Sequence, residues 1–438
     1  MELLRRNEII LISFMLFSMF FGAGNLIFPT YLGYSAGESV WSSMTGFIFS
    51  AVGLPVLAVI AVAVNGSFED LNKRVHPLFA LIFPIIIYLC IGPGLAIPRA
   101  GTIAYEMGMK PFLPVTLAGS PFMLAGFSLV FFAIVLWFSL SPSKLVDRFG
   151  KILAPVTLGI IALIFIRKLF IPGGKFAAPA ELYQGNSFFQ GFLDGYLTMD
   201  ALGALVFGVF IANTVRSRGI ANQNSVSRNM IWIGIGAGVL LASIYSILAY
   251  LGASVSGTGN AKNGAGVLSI IVNNLFGETG LVFLGILFIL ACLCVSIGLV
   301  ISCSQYFHKL LPKIAYHKWV IIFTLVSMLI ANLGLDQILS VSAPILSIIY
   351  PVIVVLILLG LMYPYLREHQ TVYSAGIAFT GIYSVIEFAN HNLLSNSLDP
   401  IMRLIPLYKE GMGWILPAIA GGLIGYLISF LKRVGVTV

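Results

Sequence analysis

The stretch Phe20-Phe21-Gly22-Ala23-Gly24-Asn25-Leu26-Ile27-Phe28-Pro29 decides how this chain is read. It closes an apolar run over residues 8–29, enough for a helix to cross a bilayer. Paired glycines alone often mark close helix packing in membranes. Here an asparagine and a proline follow them. Asparagine is costly in hydrocarbon unless it has partners, and glycine lets the backbone leave the helix. The pattern therefore predicts an unwound segment at mid-membrane. A second half-helix starting there opens with free N–H groups and the positive end of a dipole. That end can hold a carboxylate, while the freed carbonyls of the first half can hold a cation or an ammonium group. An amino acid zwitterion needs both features a few Å apart.

The rest of the chain has the same apolar character. Its 438 residues are 59% hydrophobic and 9% charged, against roughly a quarter charged in soluble domains. Apolar stretches recur over residues 8–29, 38–64, 78–105, 119–140, 148–170, 189–213, 228–255, 279–307, 318–334, 341–363, 372–390 and 412–431. The expected fold is all-α, with about 12 transmembrane helices, since a lipid-facing strand needs a closed barrel. No long polar stretch intervenes, so residues 1–438 form a single transmembrane domain. Gly- and Asn-rich residues 256–278 are expected to fold as a short surface helix on the outer side. Cys90, Cys292, Cys294 and Cys303 all lie in apolar stretches, which argues for buried small side chains and against a disulfide framework or a zinc site. The first apolar stretch has no small-residue cleavage pattern, so no removable leader is expected.

The net charge of +8 does not imply a nucleic-acid partner, because basic residues at helix ends set membrane orientation. With the N-terminus inside, one face collects Arg5, Arg6, Lys73, Arg74, Lys144, Arg148, Lys151, Arg216, Arg218, Arg228, Lys309, Lys313, Lys318, Arg367, Lys432 and Arg433. The other collects fewer, among them Lys110, Lys175, Lys262, Arg403 and Lys409. Both termini are therefore expected on the cytoplasmic side of the plasma (inner) membrane. Arg167 and Lys168 run against this count.

The sixth span repeats the irregularity of the first in Leu197-Thr198-Met199-Asp200-Ala201-Leu202-Gly203. Asp200 lies midway along it, where an acid is expensive and a functional role is the default reading. Interrupted helices at corresponding places in two halves point to a transport site, and spans one and six are five apart. Arg99 is the basic residue set inside a span, toward the outer end of the third helix. It reads as a possible gate paired with Asp194 or Asp200, or as a side chain reaching for the interface.

These segments resemble the bacterial branched-chain amino acid:cation symporter family, the BrnQ-type carriers. The motif Gly22–Pro29 is similar to that family's first helix, and Gly92-Pro93-Gly94-Leu95-Ala96-Ile97-Pro98-Arg99, Thr198–Leu202 and Asn332-Leu333-Gly334-Leu335 follow in the family's order. The resemblance implies a LeuT-like fold: a five-plus-five inverted repeat, with helices 1 and 6 unwound at the midplane. Repeat one would cover about 8–170, repeat two about 189–363, and peripheral helices about 372–431. It implies a substrate site at Gly22, Ala23, Gly24, Asn25, Thr198, Met199, Asp200 and Ala201. Ion coupling would involve Phe20, Phe21, Asn25, Ser296 and Asp200. The eighth span departs from the family in Leu293-Cys294-Val295-Ser296, because thiol and isopropyl groups are poor ligands for a hard cation. This leaves sodium or a proton as the coupling ion, with no other cofactor.

The expected function is cation-coupled import of leucine, isoleucine and valine. The alternatives are the same fold carrying another small solute, or a non-transporting nutrient sensor. An enzyme is disfavoured: the acids are dispersed, and no HExxH or nucleophile motif is present. No nucleotide-binding motif is present either.

Overall fold

The structure, a computed structural model, describes residues 3–140, 144–171, 175–258, 261–367 and 369–433. The side chains of Lys144, Arg148 and Lys151, used above for orientation, lie outside that description, as do residues 434–438. Helices α1 (Arg6–Phe20) and α2 (Ala23–Ala36) share the first span. The second span is α3 (Val40–Ile48) and α4 (Leu54–Asn65), joined by a wider turn over Phe49–Gly53. The third is α5 (Pro77–Leu89) and α6 (Ala96–Gly108). There follow α7 (Pro121–Leu140), α8 (Lys144–Leu169), α9 (Ser187–Tyr196) and α10 (Asp200–Ser217). The chain continues through α11 (Gln223–Ala253), α12 (Gly264–Leu310), α13 (Tyr316–Ala331), α14 (Leu335–Leu361), α15 (Gln370–Asn392) and α16 (Ile415–Arg433). Among the described residues, nine helical runs are long and apolar enough to cross a bilayer. The 26-residue α8 and the 16-residue α13 cover two further expected spans.

The third span, expected over 78–105, is broken in its middle. Gly92 leaves helical geometry (φ −94°, ψ −126°) and Pro93 has no N–H to donate, so the ladder fails between α5 and α6. A Cβ on Gly92 would stand 2.7 Å from Cys303 Sγ, so the break lets α12 approach. In α12 itself the backbone turns at Gly277 (φ 65°). The residues before it form a short helix from Gly264 that packs on α2, in keeping with the separate element expected within 256–278.

Two helix pairs set the site. The first broken helix, α1 and α2, packs on α11; the sixth, α9 and α10, packs on α3 and α4. Both contacts are glycine-to-backbone. A Cβ at Gly33 would lie 1.9 Å from the Ala249 carbonyl oxygen, and one at Gly252 would lie 2.0 Å from that of Thr30. On the other pair, a Cβ at Gly46 would lie 1.9 Å from Phe188 O, and one at Gly191 would lie 1.9 Å from Ser43 O. Lipid tails are as apolar as leucine, so such close fits supply much of the packing energy in a membrane. The Glu8 carboxylate ties the start of α1 to the end of α10 through Arg218 at 2.9 Å.

Candidate functional site

The first break spans Phe21 and Gly22, both extended (φ −75°, ψ 92° and φ −112°, ψ −177°). The helical pattern of donors stops there. The Phe21 N–H still bonds Phe17 O at 2.8 Å, but the Asn25 N–H turns to Gly22 O at 3.1 Å. The carbonyls of Phe20 and Phe21 thereby lose their usual donors four residues on. Ala23 and Gly24 become the first residues of α2, so helix geometry gives their N–H groups no acceptor behind them.

Asn25 closes the break and joins it to the second one. Its Oδ1 accepts from the Gly22 N–H at 3.2 Å, while its Nδ2 donates to Asp200 Oδ2 at 2.7 Å and also to Tyr245 Oη. The Tyr245 hydroxyl donates to the same Asp200 oxygen at 2.9 Å. All three side chains are buried. Asp200 opens α10, so its carboxylate stands at a helix N-terminus, where negative charge is favoured. Met199 before it is left-handed (φ 63°). Such a conformation costs a non-glycine residue about 1–3 kcal/mol and clusters at functional sites.

Arg99 lies beside these breaks rather than at an outer rim. It is 5% exposed, and its Nη1 donates to the Leu197 carbonyl at 2.7 Å. Its guanidinium stands 5.0 Å over the Phe28 ring. The gate pairing with Asp194 is not formed: that carboxylate accepts from Tyr183 Oη at 2.6 Å and Gln190 Nε2 at 2.9 Å. Among the described residues Arg99 also makes no ion pair with Asp200 within 4.0 Å.

One cleft runs between the breaks. It is lined by Phe20, Gly22, Ala23, Gly24, Asn25, Arg99, Thr198, Met199 and Asp200, which sequence reasoning singled out from distant segments. Phe21, Asp194, Ala201 and Ser296 do not line it. Phe21 stacks on Phe17 at 4.9 Å, Ala201 is buried within α10, and the neighbour of Ser296, Val295, faces the cleft instead. The remaining wall is apolar: Met19, Ile91, Ala96, Ala100, Ile103, Gly203, Phe207, Val295 and Leu299. Sequence reasoning missed this wall and missed Tyr245, since aliphatic and aromatic residues are too common in such helices to stand out. The break at Gly92 was the available signal for Ile91 and Ala96.

The family described as branched-chain amino acid transport protein matches residues 5–432. This chain belongs to that family. The branched-chain amino acid permease BraB of Bacillus subtilis (strain 168) is 45% identical, covering 97% of this chain and 96% of its own. The permease BrnQ of Escherichia coli (strain K12) is 36% identical, covering 95% and 94%. Among solved structures, the nucleobase-cation-symport-1 transporter Mhp1, closed with bromovinylhydantoin bound, superposes with a TM-score of 0.61 at 12% identity, over 94% of this chain and 90% of its own. MhsT in complex with L-phenylalanine gives 0.59 at 15% identity, over 98% and 99%. The fold is therefore the LeuT-like one, with its first and sixth helices broken, and the chain is a multi-pass membrane transporter, not an enzyme.

Proposed function

We propose that this chain imports leucine, isoleucine and valine across the plasma membrane by alternating access, coupled to entry of a sodium ion or a proton. The observation that carries the reading is the cleft at the two helix breaks, lined by both polar groups and apolar side chains. The substrate class is supported by the relatives' names, which describe branched-chain amino acid permeases aligned over nearly the full chain. The α-carboxylate would meet the N–H groups of Ala23 and Gly24, and the ammonium the carbonyl of Phe20 and the side of Asp200. The branched side chain would lie on Ile91, Ile103, Phe207, Val295 and Leu299. Apolar pockets separate such side chains by only about 1–3 kcal/mol per methylene, so all three substrates would share the site.

Two groups bear on the coupling ion. Ser296 Oγ on α12 is buried and lacks a hydrogen-bond partner among the described residues. Its neighbour Val295 reaches to 3.4 Å from a Cβ built on Gly22, so α12 passes close to the first break, and the unpartnered Ser296 hydroxyl favours sodium. Asp200, the acid lining the cleft, supports a proton. Both termini would be cytoplasmic, as the basic residues imply. The test is uptake of labelled leucine into proteoliposomes under separately imposed sodium and proton gradients. Uptake driven by one gradient and competed by all three amino acids is expected. Folded protein inactive under both gradients would sink the reading.

A further inference from the structure

Among the residues lining the cleft, Arg99 is the sole cation and Asp200 the sole anion. They are held apart by separate attachments. The Asp200 Oδ2 accepts from both Asn25 and Tyr245, while the Arg99 guanidinium is fixed to Leu197 O, on the segment joining α9 to α10. Among the described residues that carbonyl is the hydrogen-bond acceptor Arg99 has, although guanidinium carries five donors in a planar fork. A buried guanidinium with no anion in direct contact is expensive, and more so at mid-membrane. Its place relative to α2 is specific. A Cβ on Gly24 would come within 3.1 Å of Arg99 Nη2, so the guanidinium stands beside the backbone that opens this helix. The fork thus lies beside the residues whose N–H groups open α2, while Asp200 is held at Asn25 and Tyr245.

We propose that Arg99 is a substrate ligand rather than a gate: its guanidinium binds the α-carboxylate together with the N–H groups of Ala23 and Gly24. This assignment rests on the reading above that the cleft holds a branched-chain amino acid. Planar bidentate recognition of carboxylate is what arginine does better than lysine. A fixed cation in the site also supplies the positive charge that a carboxylate would otherwise draw from a bound metal ion. Arg99 therefore sets the discrimination between amino acids and the corresponding amides.

The test uses purified full-length protein titrated with leucine and with leucinamide, which keeps the ammonium and the side chain but lacks the carboxylate. Ligand affinities are read from the rise in Tm. Wild type should favour leucine by roughly 100-fold or more, the scale for a buried charged pair. In Arg99→Gln leucine should weaken roughly 100-fold and leucinamide less than about threefold, so the preference collapses. Arg99→Lys keeps the charge but not the fork and should lose about tenfold of the preference. It carries the comparison should Arg99→Gln fail to fold. Equal weakening of both ligands, or unchanged leucine affinity, overturns the assignment. Wild type that binds neither ligand sinks the functional reading, and this assignment with it.

Discussion

Replacing Gly24 with leucine will lower leucine uptake at least about 100-fold while the protein still folds. A Cβ at this position meets Arg99 Nη2 at 3.1 Å and Phe28 Cε2 at 3.3 Å, both side-chain atoms rather than backbone. Alanine is therefore expected to cost about tenfold. The larger leucine side chain would stand where the carboxylate must lie. Losing the charged hydrogen bonds to it corresponds to about 2–5 kcal/mol. No backbone atom of a neighbour crowds Gly24, so the helix itself tolerates the change. Gly252→Leu serves as the contrast, since its Cβ would lie 2.0 Å from Thr30 O, and this variant should fail to fold. Uptake kinetics and the Tm of each purified variant check both statements.

Asp200→Asn will also reduce gradient-driven uptake at least about 100-fold. The amide oxygen can still accept from Asn25 and Tyr245, so the link between the two breaks survives. What is lost is the negative charge, at the edge of the site where the ammonium or the coupling proton would need it. Arg99 would then have no anion lining the same cleft, which leaves a buried charge uncompensated. Tyr245→Phe removes one donor to Asp200 and leaves Asn25 in place, so about a tenfold loss is expected. Initial rates of labelled leucine uptake at matched protein density give the comparison.

Much of this site was legible because its residues break the rules of a membrane helix. Gly22, Gly24 and Asn25 contradict helix and hydrocarbon alike, and Asp200 is an acid where acids are expensive. Their meeting could be argued from the spacing of spans one and six. Tyr245 carried no such signal: a tyrosine in an apolar span is ordinary, and its bond to Asp200 depends on packing between elements 45 residues apart. The left-handed Met199 was equally silent, because the position takes a residue type that gives no hint of positive φ. Arg99 was read as lying near an interface because span limits alone set its depth. The break at Gly92, which lowers it into the cleft, was visible only as a quoted motif. The glycines at 33, 46, 191 and 252 read as generic small residues, and only the packed helices reveal which backbone oxygen each one admits.

The central claim is that the cleft between the two helix breaks holds the branched-chain amino acid. The most direct test is photolabelling of the reconstituted protein with a diazirine analogue of leucine, followed by peptide mass spectrometry. The account predicts adducts on Ile91, Ile103, Phe207, Val295 or Leu299, abolished by excess leucine and absent in Gly24→Leu. Leucine-protected adducts confined to other surfaces, with these residues unlabelled, would contradict it.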